Sequence, residues 1–349
     1  MNAPASNVEK PRLYLPKLSI VQCSEAKPPR KDVGLLAGFC FGDDCSVTGD
    51  GLITTGLQPI NRSATIECWW YDGEIQYENR NGVEIASCNE YAFLTIRCTY
   101  DEKTDFAAVS RDVYRSLFSA IRRTNHHHIA KIWNYFGGIT EGQGDLERYR
   151  QFSIGRAEVF AEQNLNDSTL PAGTAIGTHQ EEALNVVALT SKCPFAAVEN
   201  PRQTSAYRYP RQYGPESPRF SRGGTIVAGD DTLHLISGTA AIVGHKTQHP
   251  SDVVQQLKVT VDNLRGLCAG FSAGSSADQS VSIEQIGAPR IYLREAEDFD
   301  RVATDLDRRI AEGFSERALF LHADICRSEL MFEIDGVVIH AGDVSAPMG

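Results

Sequence analysis

The chain has 349 residues, 42% of them hydrophobic, and a formal net charge of -11. That is enough to bury a large core and to build two ordinary domains, and too apolar for a disordered chain. The acidic excess speaks against a nucleic-acid partner, because phosphate binding needs a basic face.

No stretch reaches the roughly 18 apolar residues that a membrane helix needs. Residues 1–30 lack the charged start and apolar run of an export signal, so a cytoplasmic protein is expected. The nine cysteines, an odd number with no CxxC pair and no Cys/His ligand spacing, read as reduced thiols.

Elements can be placed from residue 105 onward. Val109, Val113, Leu117 and Ile121 recur at helical spacing behind Asp105, a good N-cap, which predicts a helix to about Arg123. The run His126-His127-His128 is expected to be a polar loop before a strand and not a metal site, since adjacent side chains diverge. Residues 129–136, rich in aromatic and branched side chains and closed by Gly137-Gly138, read as that strand. Asp145 is expected to open a second helix, with Leu146, Tyr149, Phe160 and Ala161 facing inward. On it Arg148 and Gln151 share one face, Tyr149 and Arg156 another, while Arg150 reads as an ordinary solvated arginine.

Residues 207–222 pack four arginines and three tyrosines into sixteen positions of an acidic protein. Arginine forks bind carboxylates bidentately and tyrosines give a flat wall with a polar tip, which suits a pocket for a small anionic ring compound. A surface loop stiffened by Pro210, Pro215 and Pro218, its arginines paired with nearby acids, fits the stretch equally well.

Beyond the island the order of elements repeats. Residues 233–243 read as a strand, Asp252 caps a helix carrying Val254, Leu257, Val261 and Leu264, and residues 269–276 form a Gly/Ser-rich loop. Residues 281–293 supply strands, Phe299, Val302, Ala303, Leu306 and Ile310 mark a further helix, and residues 318–325 and 330–339 alternate like strands around Cys326-Arg327-Ser328. The repeat predicts an α+β protein of two similar units, each a mixed sheet covered on one face by two helices.

In the last strand Glu329, Met331, Glu333 and Asp335 share a parity, with Leu330, Phe332, Ile334 and Val337 giving the apolar face. A carboxylate there is ordinarily solvated. It becomes a general acid only where the other unit closes over it and desolvation raises its pKa. There is no G-x-S-x-G elbow, and Ser237-Gly238-Thr239-Ala240 lacks the spacing of a phosphate loop.

Residues 236–245, the helix that follows them and the terminal Cys326-Arg-Ser-Glu-Leu-Met-Phe-Glu-Ile-Asp335 resemble the RidA/YjgF pattern. With Trp133-Asn-Tyr-Phe136, Gly144-Asp-Leu-Glu-Arg-Tyr-Arg-Gln-Phe152, Gly155-Arg156 and Tyr209-Pro-Arg-Gln-Tyr-Gly-Pro215 added, the chain resembles the chorismatases, over roughly residues 13–341. The resemblance implies two RidA-like domains, 1–200 and 225–349, joined by the Arg/Tyr-rich connector 201–224, with the active site between them and no metal or organic cofactor. It implies chorismate as substrate and Glu333 as the acid that protonates the enolpyruvyl methylene carbon, which requires a neutral carboxylic acid held out of water. Arg148, Arg156 and Arg211 would hold the two carboxylates, and Tyr149, Gln151, Tyr209 and Tyr213 would line the ring site. Arg208, Arg219 and Arg222 keep the structural reading.

In this family, residues at positions matching Ala240 and Cys326 steer the products. Cysteine at 326 resembles the branch that forms 3-hydroxybenzoate and pyruvate, whereas alanine at 240 fits that branch less well. Hydrolysis to a dihydroxycyclohexadiene carboxylate, a bifunctional 3-/4-hydroxybenzoate synthase, a RidA-like small-carboxylate binder or imine hydrolase, and an interaction scaffold are the alternatives. A duplicated chain holds within itself an interface that RidA proteins make between chains, so a monomer is expected to suffice.

Overall fold

A computed structural model describes residues 15–341 except 28–31, 44–48, 102, 180–182, 229–230 and 275–279. Two seven-stranded sheets dominate it. The first runs in spatial order Asp324–Ile325, Ala172–Thr178, His128–Gly137, Ala183–Ser191, Tyr91–Thr99, Val83–Ser87, Gln76–Arg80. The second runs Phe195–Val198, Gly223–Ala228, Asp231–Thr239, Phe332–His340, Gly287–Leu293, Leu319–His322, Gln58–Pro59. Each sheet borrows from the other half of the sequence: Asp324–Ile325 pairs with Ala172–Thr178, and Gln58–Pro59 pairs with Leu319–His322.

Among the described residues four α-helices cover the outer faces. Helix α1, Phe106–Ile121, is capped by the Asp105 side chain on the Ala108 amide, and with α2, Arg148–Glu162, it buries Leu94, Phe136 and Val186 of the first sheet. Helices α3, Val253–Gly274, and α4, Phe299–Arg309, do the same for Ile291, Phe320 and Ile334 of the second sheet. The inner faces meet in one core containing Trp69, Trp133, Leu235 and Val337, to which a four-stranded sheet of Lys17–Gln22, Thr65–Asp72, Val33–Phe41 and Leu52–Thr54 also contributes.

The α+β architecture of two helix-covered sheets matches expectation, and several details differ. Asp145 sits in a short 3₁₀ turn, Gly144–Leu146, and α2 begins at Arg148. Leu146 is 75% exposed and Ala161 is exposed too, because the inward face of α2 is set by Tyr149, Phe152, Val159 and Phe160. The expected loop at 269–276 is helical as far as Gly274, and the rest of it lies outside the described residues. Residues 281–286 contain a 3₁₀ turn, so that strand starts at Gly287. His126 is buried with its Nε2 3.0 Å from the Cys88 carbonyl oxygen, while His127 and His128 point to solvent.

Candidate active site

The strand Phe332–His340 lies in the middle of the second sheet, between Asp231–Thr239 and Gly287–Leu293. Alternation sends Phe332, Ile334 and Val338 toward the helices and Glu333, Asp335 and Val337 toward the first sheet. Val337 therefore shares the face of the two acids, against expectation, and both faces of the strand are buried. Opposite Asp335 the pairing slips between Ile236 and Thr239, a bulge that turns Ser237-Gly238 toward Glu333. A β-carbon on Gly238 would lie 1.7 Å from Glu333 Oε1, so any side chain there would displace the carboxyl group.

Glu333 is 5% exposed, and none of the described residues hydrogen-bonds to its carboxyl group. Burial, reinforced by the Asp335 charge and opposed by Lys131 and Arg222, pushes its pKa up to about 8. At neutral pH it is a carboxylic acid with a proton to give.

The acid faces a cavity of about 330 Å³. Four arginines line it, Arg150, Arg156, Arg222 and Arg327, together with the acids Glu147 and Glu329; Arg150 lies 3.6 Å from Glu147 and 3.8 Å from Asp145. Arg156, 3% exposed, has Nε and Nη2 buried without partners among the described residues, with the guanidinium 4.7 Å over the Phe152 ring. Arg222, 4% exposed, donates through Nη2 to the Thr204 carbonyl oxygen at 2.8 Å and the Tyr209 hydroxyl at 2.7 Å, and its Nε has no partner among the described residues. Buried guanidinium donors without acceptors are costly for a protein and suited to a carboxylate ligand. Arg327 stacks 4.0 Å over Tyr213 and donates to the His245 carbonyl oxygen at 3.0 Å and Thr247 Oγ1 at 3.1 Å. Tyr213 in turn contacts His245 Nδ1 at 3.2 Å. These bonds tie the mouth of the cavity to the Ile242–Val243 and Lys246–Thr247 hairpin.

Of the residues singled out from the sequence, Glu333, Cys326, Ala240, Tyr149, Arg156, Tyr209 and Tyr213 all line this cavity. Burial pushes the Cys326 thiol up to about 12, so it is a neutral, soft wall and not a thiolate. Arg148, Gln151 and Arg211 are elsewhere. Arg148 donates to the Gly137 carbonyl oxygen at 2.6 Å and pairs with Glu141, which anchors the loop before α2. Gln151, on the side of α2 turned away from Tyr149 and Arg156, donates to the Asp145 carbonyl oxygen. Arg211 is exposed in a bidentate pair with Asp145, which clamps the 207–222 stretch to the start of α2.

Sequence reasoning passed over Arg150, Arg222, Arg327, Gln203 and Thr174. Arg222 was read as structural and Arg150 as solvated; both reach the cavity because the chain turns back across α2 and the bulged strand. Arg327 carried one usable signal, its place beside Cys326. Arg219, 3.8 Å from Asp167, stays with the structural reading.

Comparison with known proteins gives consistent matches. The family model described as "Chorismatase FkbO/Hyg5-like, N-terminal" matches residues 67–190. A 3-hydroxybenzoate synthase of Streptomyces hygroscopicus is 31% identical over 285 residues, 78% of this chain and 81% of that protein. A chorismatase of Streptomyces rapamycinicus is 33% identical over 279 residues, with the same coverage. A crystal structure of chorismatase superposes with a TM-score of 0.82 at 26% identity, covering 94% of this chain and all of the other. With relatives of this identity and coverage, and with the same fold over nearly its whole length, the chain belongs to the chorismatase family.

Proposed function

We propose that the protein is a chorismatase that converts chorismate to 3-hydroxybenzoate and pyruvate. The observation that carries the reading is a buried carboxylic acid, Glu333, facing a cavity lined by four arginines. Protonating carbon needs a neutral acid at the pH of the reaction, and fixing a dianion needs paired cationic donors in a place that water does not fill.

Arg156 and Arg222 bring unpaired buried donors to the substrate's carboxylates, with Arg150 and Arg327 completing the cationic wall. Tyr149, Tyr209 and Tyr213 hold the ring. Glu333 passes its proton to the enolpyruvyl methylene carbon, which becomes a methyl group and leaves an oxocarbenium ion at the neighbouring carbon. The ring hydroxyl attacks that cation. Collapse through an arene-oxide-like species releases pyruvate and, with loss of a ring proton, 3-hydroxybenzoate. Glu333, left as carboxylate, recovers a proton, so no water is consumed.

Cys326 and Ala240, both against the cavity, are the residues proposed to keep water from the cation. The similarity to a 3-hydroxybenzoate synthase supports the internal-capture branch. The reaction as written requires no metal or organic cofactor. The cytoplasm is the proposed location, and no helix among the described residues is long and apolar enough to cross a membrane. Both sheets that frame the cavity come from one chain, which supports a monomer as the working unit.

Incubation with chorismate followed by chromatography tests the reading. Equimolar pyruvate and 3-hydroxybenzoate are expected. Absence of pyruvate would sink the enzyme assignment, and a non-aromatic diene product would sink the internal-capture branch alone.

A further inference from the structure

The proposed reaction leaves the buried acid next to Glu333 without a task. Asp335 is 1% exposed and follows Glu333 by two residues on the same face of the strand. Its Oδ2 accepts hydrogen bonds from Lys131 Nζ at 3.0 Å, Trp133 Nε1 at 3.0 Å and Thr174 Oγ1 at 2.7 Å, and Tyr292 OH lies 3.4 Å from Oδ1. Donors surround it, which suits an anion and leaves an acid proton nothing to bond to. Burial alone would raise the Asp335 carboxyl; Lys131, Arg290 and Thr174 overcome that and hold it below the usual range.

The same cluster sets the backbone in front of Glu333. Lys131 Nζ also donates to the Ile236 carbonyl oxygen at 2.7 Å, and Thr174 Oγ1 accepts from the Gly238 amide at 3.1 Å. Both contacts hold the bulge whose glycine faces the acid. Replacement of a buried ion pair by apolar side chains is often neutral or stabilising, so stability alone is a weak reason for Lys131 and Asp335.

We propose that Asp335 is a positioning residue for the acid step, a fixed anion in the wall beside Glu333 that keeps the proton on Glu333 until the substrate's carbon takes it. Residues two apart on one face of a strand are about 7 Å apart, close enough in a buried site for one charge to shift a neighbour's proton equilibrium by about tenfold or more. Across the cavity stand Arg150, Arg156 and Arg327, whose charges act the opposite way, and Glu147 and Glu329, whose charges act with Asp335. Lys131 and Arg222 lower its proton affinity, and the Arg290 guanidinium behind Asp335 is neutralised by a bidentate pair with Glu67. The Cys326 thiol and the Tyr149 hydroxyl beside it are held neutral by burial.

The role rests on the chorismatase reading, and the test separates the two. Carbon-13 NMR of the intact chain, with the Glu333 carboxyl assigned by its disappearance in Glu333→Gln, follows that group's titration without any turnover. In Asp335→Asn the midpoint is expected to fall by about one pH unit or more from the wild-type value near 8. Above the new midpoint kcat falls about tenfold and recovers as the pH is lowered, while the Kd of a non-reacting aromatic dicarboxylate stays within about threefold. A purely structural role would weaken binding and kcat together at every pH and leave the midpoint in place, and that result overturns the proposal. Should Asp335→Asn fail to fold, the double variant Lys131→Met, Asp335→Leu replaces the ion pair by apolar groups, and its midpoint is expected below that of Lys131→Met alone, in which Asp335 keeps its charge. A midpoint at or above the reference, wild type for Asp335→Asn and Lys131→Met for the double variant, contradicts the proposal. If the titration moves as expected but chorismate is not consumed, the function assigned above fails and the coupling of the two acids stands.

Discussion

Replacing Glu333 by glutamine should make the protein more stable, and increasingly so as the pH rises. In the folded protein the carboxyl group holds its proton up to about pH 8, whereas the exposed group of the unfolded chain releases it near 4.5. Between those values the folded state binds a proton that the unfolded state has lost, so stability falls as pH increases. The interval is about 3.5 pH units, and at about 1.4 kcal/mol per unit the full cost of forcing the folded form to ionise is about 5 kcal/mol. Water entering the cavity relieves part of it, leaving a net effect of about 1–3 kcal/mol at pH 9. Glutamine has the same shape and never ionises. Denaturant or thermal unfolding of wild type and Glu333→Gln at pH 5 and pH 9 measures the effect. The variant should match wild type within about 1 kcal/mol at pH 5 and exceed it at pH 9, by about 2 °C in Tm for each kcal/mol in a chain of this size. Because any cost of the amide's own hydrogen bonding is the same at both pH values, the difference isolates the ionisation. A gain that does not grow with pH, or a loss at pH 9, would refute the argument that Glu333 is a buried neutral acid.

Other substitutions probe the cavity wall. Gly238→Ala places a methyl group on the Glu333 carboxyl; kcat should fall about 100-fold with a cooperative unfolding transition retained, and a variant with wild-type kcat would show that the acid is not confined there. Arg156→Ala should lower kcat/KM about 100-fold because two buried donors meant for a carboxylate are lost, while Arg211→Ala, exposed and paired with Asp145, should stay within about threefold; steady-state kinetics that reverse the order would return Arg211 to the site. Cys326→Val is expected to divert part of the product toward the dihydroxycyclohexadiene carboxylate, read by chromatography, and an unchanged product ratio would remove Cys326 from the control of capture.

Much of this site was legible because its chemistry depends on alternation along one strand. Glu333 and Asp335 share a parity, and whether that face is wet or dry was the open question that the first sheet answers by packing over it. Helix caps were equally local: Asp105 on the Ala108 amide and Asp252 on the Gln255 amide sit where short side chains serve unpaired amides. The arginines were the hard part. A guanidinium on a long, flexible stem reads the same in sequence whether it pairs with an exposed acid, as Arg211 does with Asp145, or reaches a cavity, as Arg222 does beside Tyr209. That choice is made by contacts between residues far apart in the chain, and no spacing rule contains it. The four-stranded sheet of residues 17–72 went unread for a related reason. Its strands, buried on both sides in the case of Thr65–Asp72, show no alternation and pair at long range.

The central claim is that Glu333 delivers a proton to carbon, and turnover of chorismate in deuterium oxide tests it most directly. In that solvent the Glu333 carboxyl carries deuterium, so proton NMR of the products should show pyruvate with one deuterium in its methyl group beside 3-hydroxybenzoate, and neither product in Glu333→Gln. Pyruvate with an all-protium methyl group would mean that hydrogen moves within the substrate itself, and unimpaired turnover by Glu333→Gln would mean that another group is the acid; either result contradicts the account.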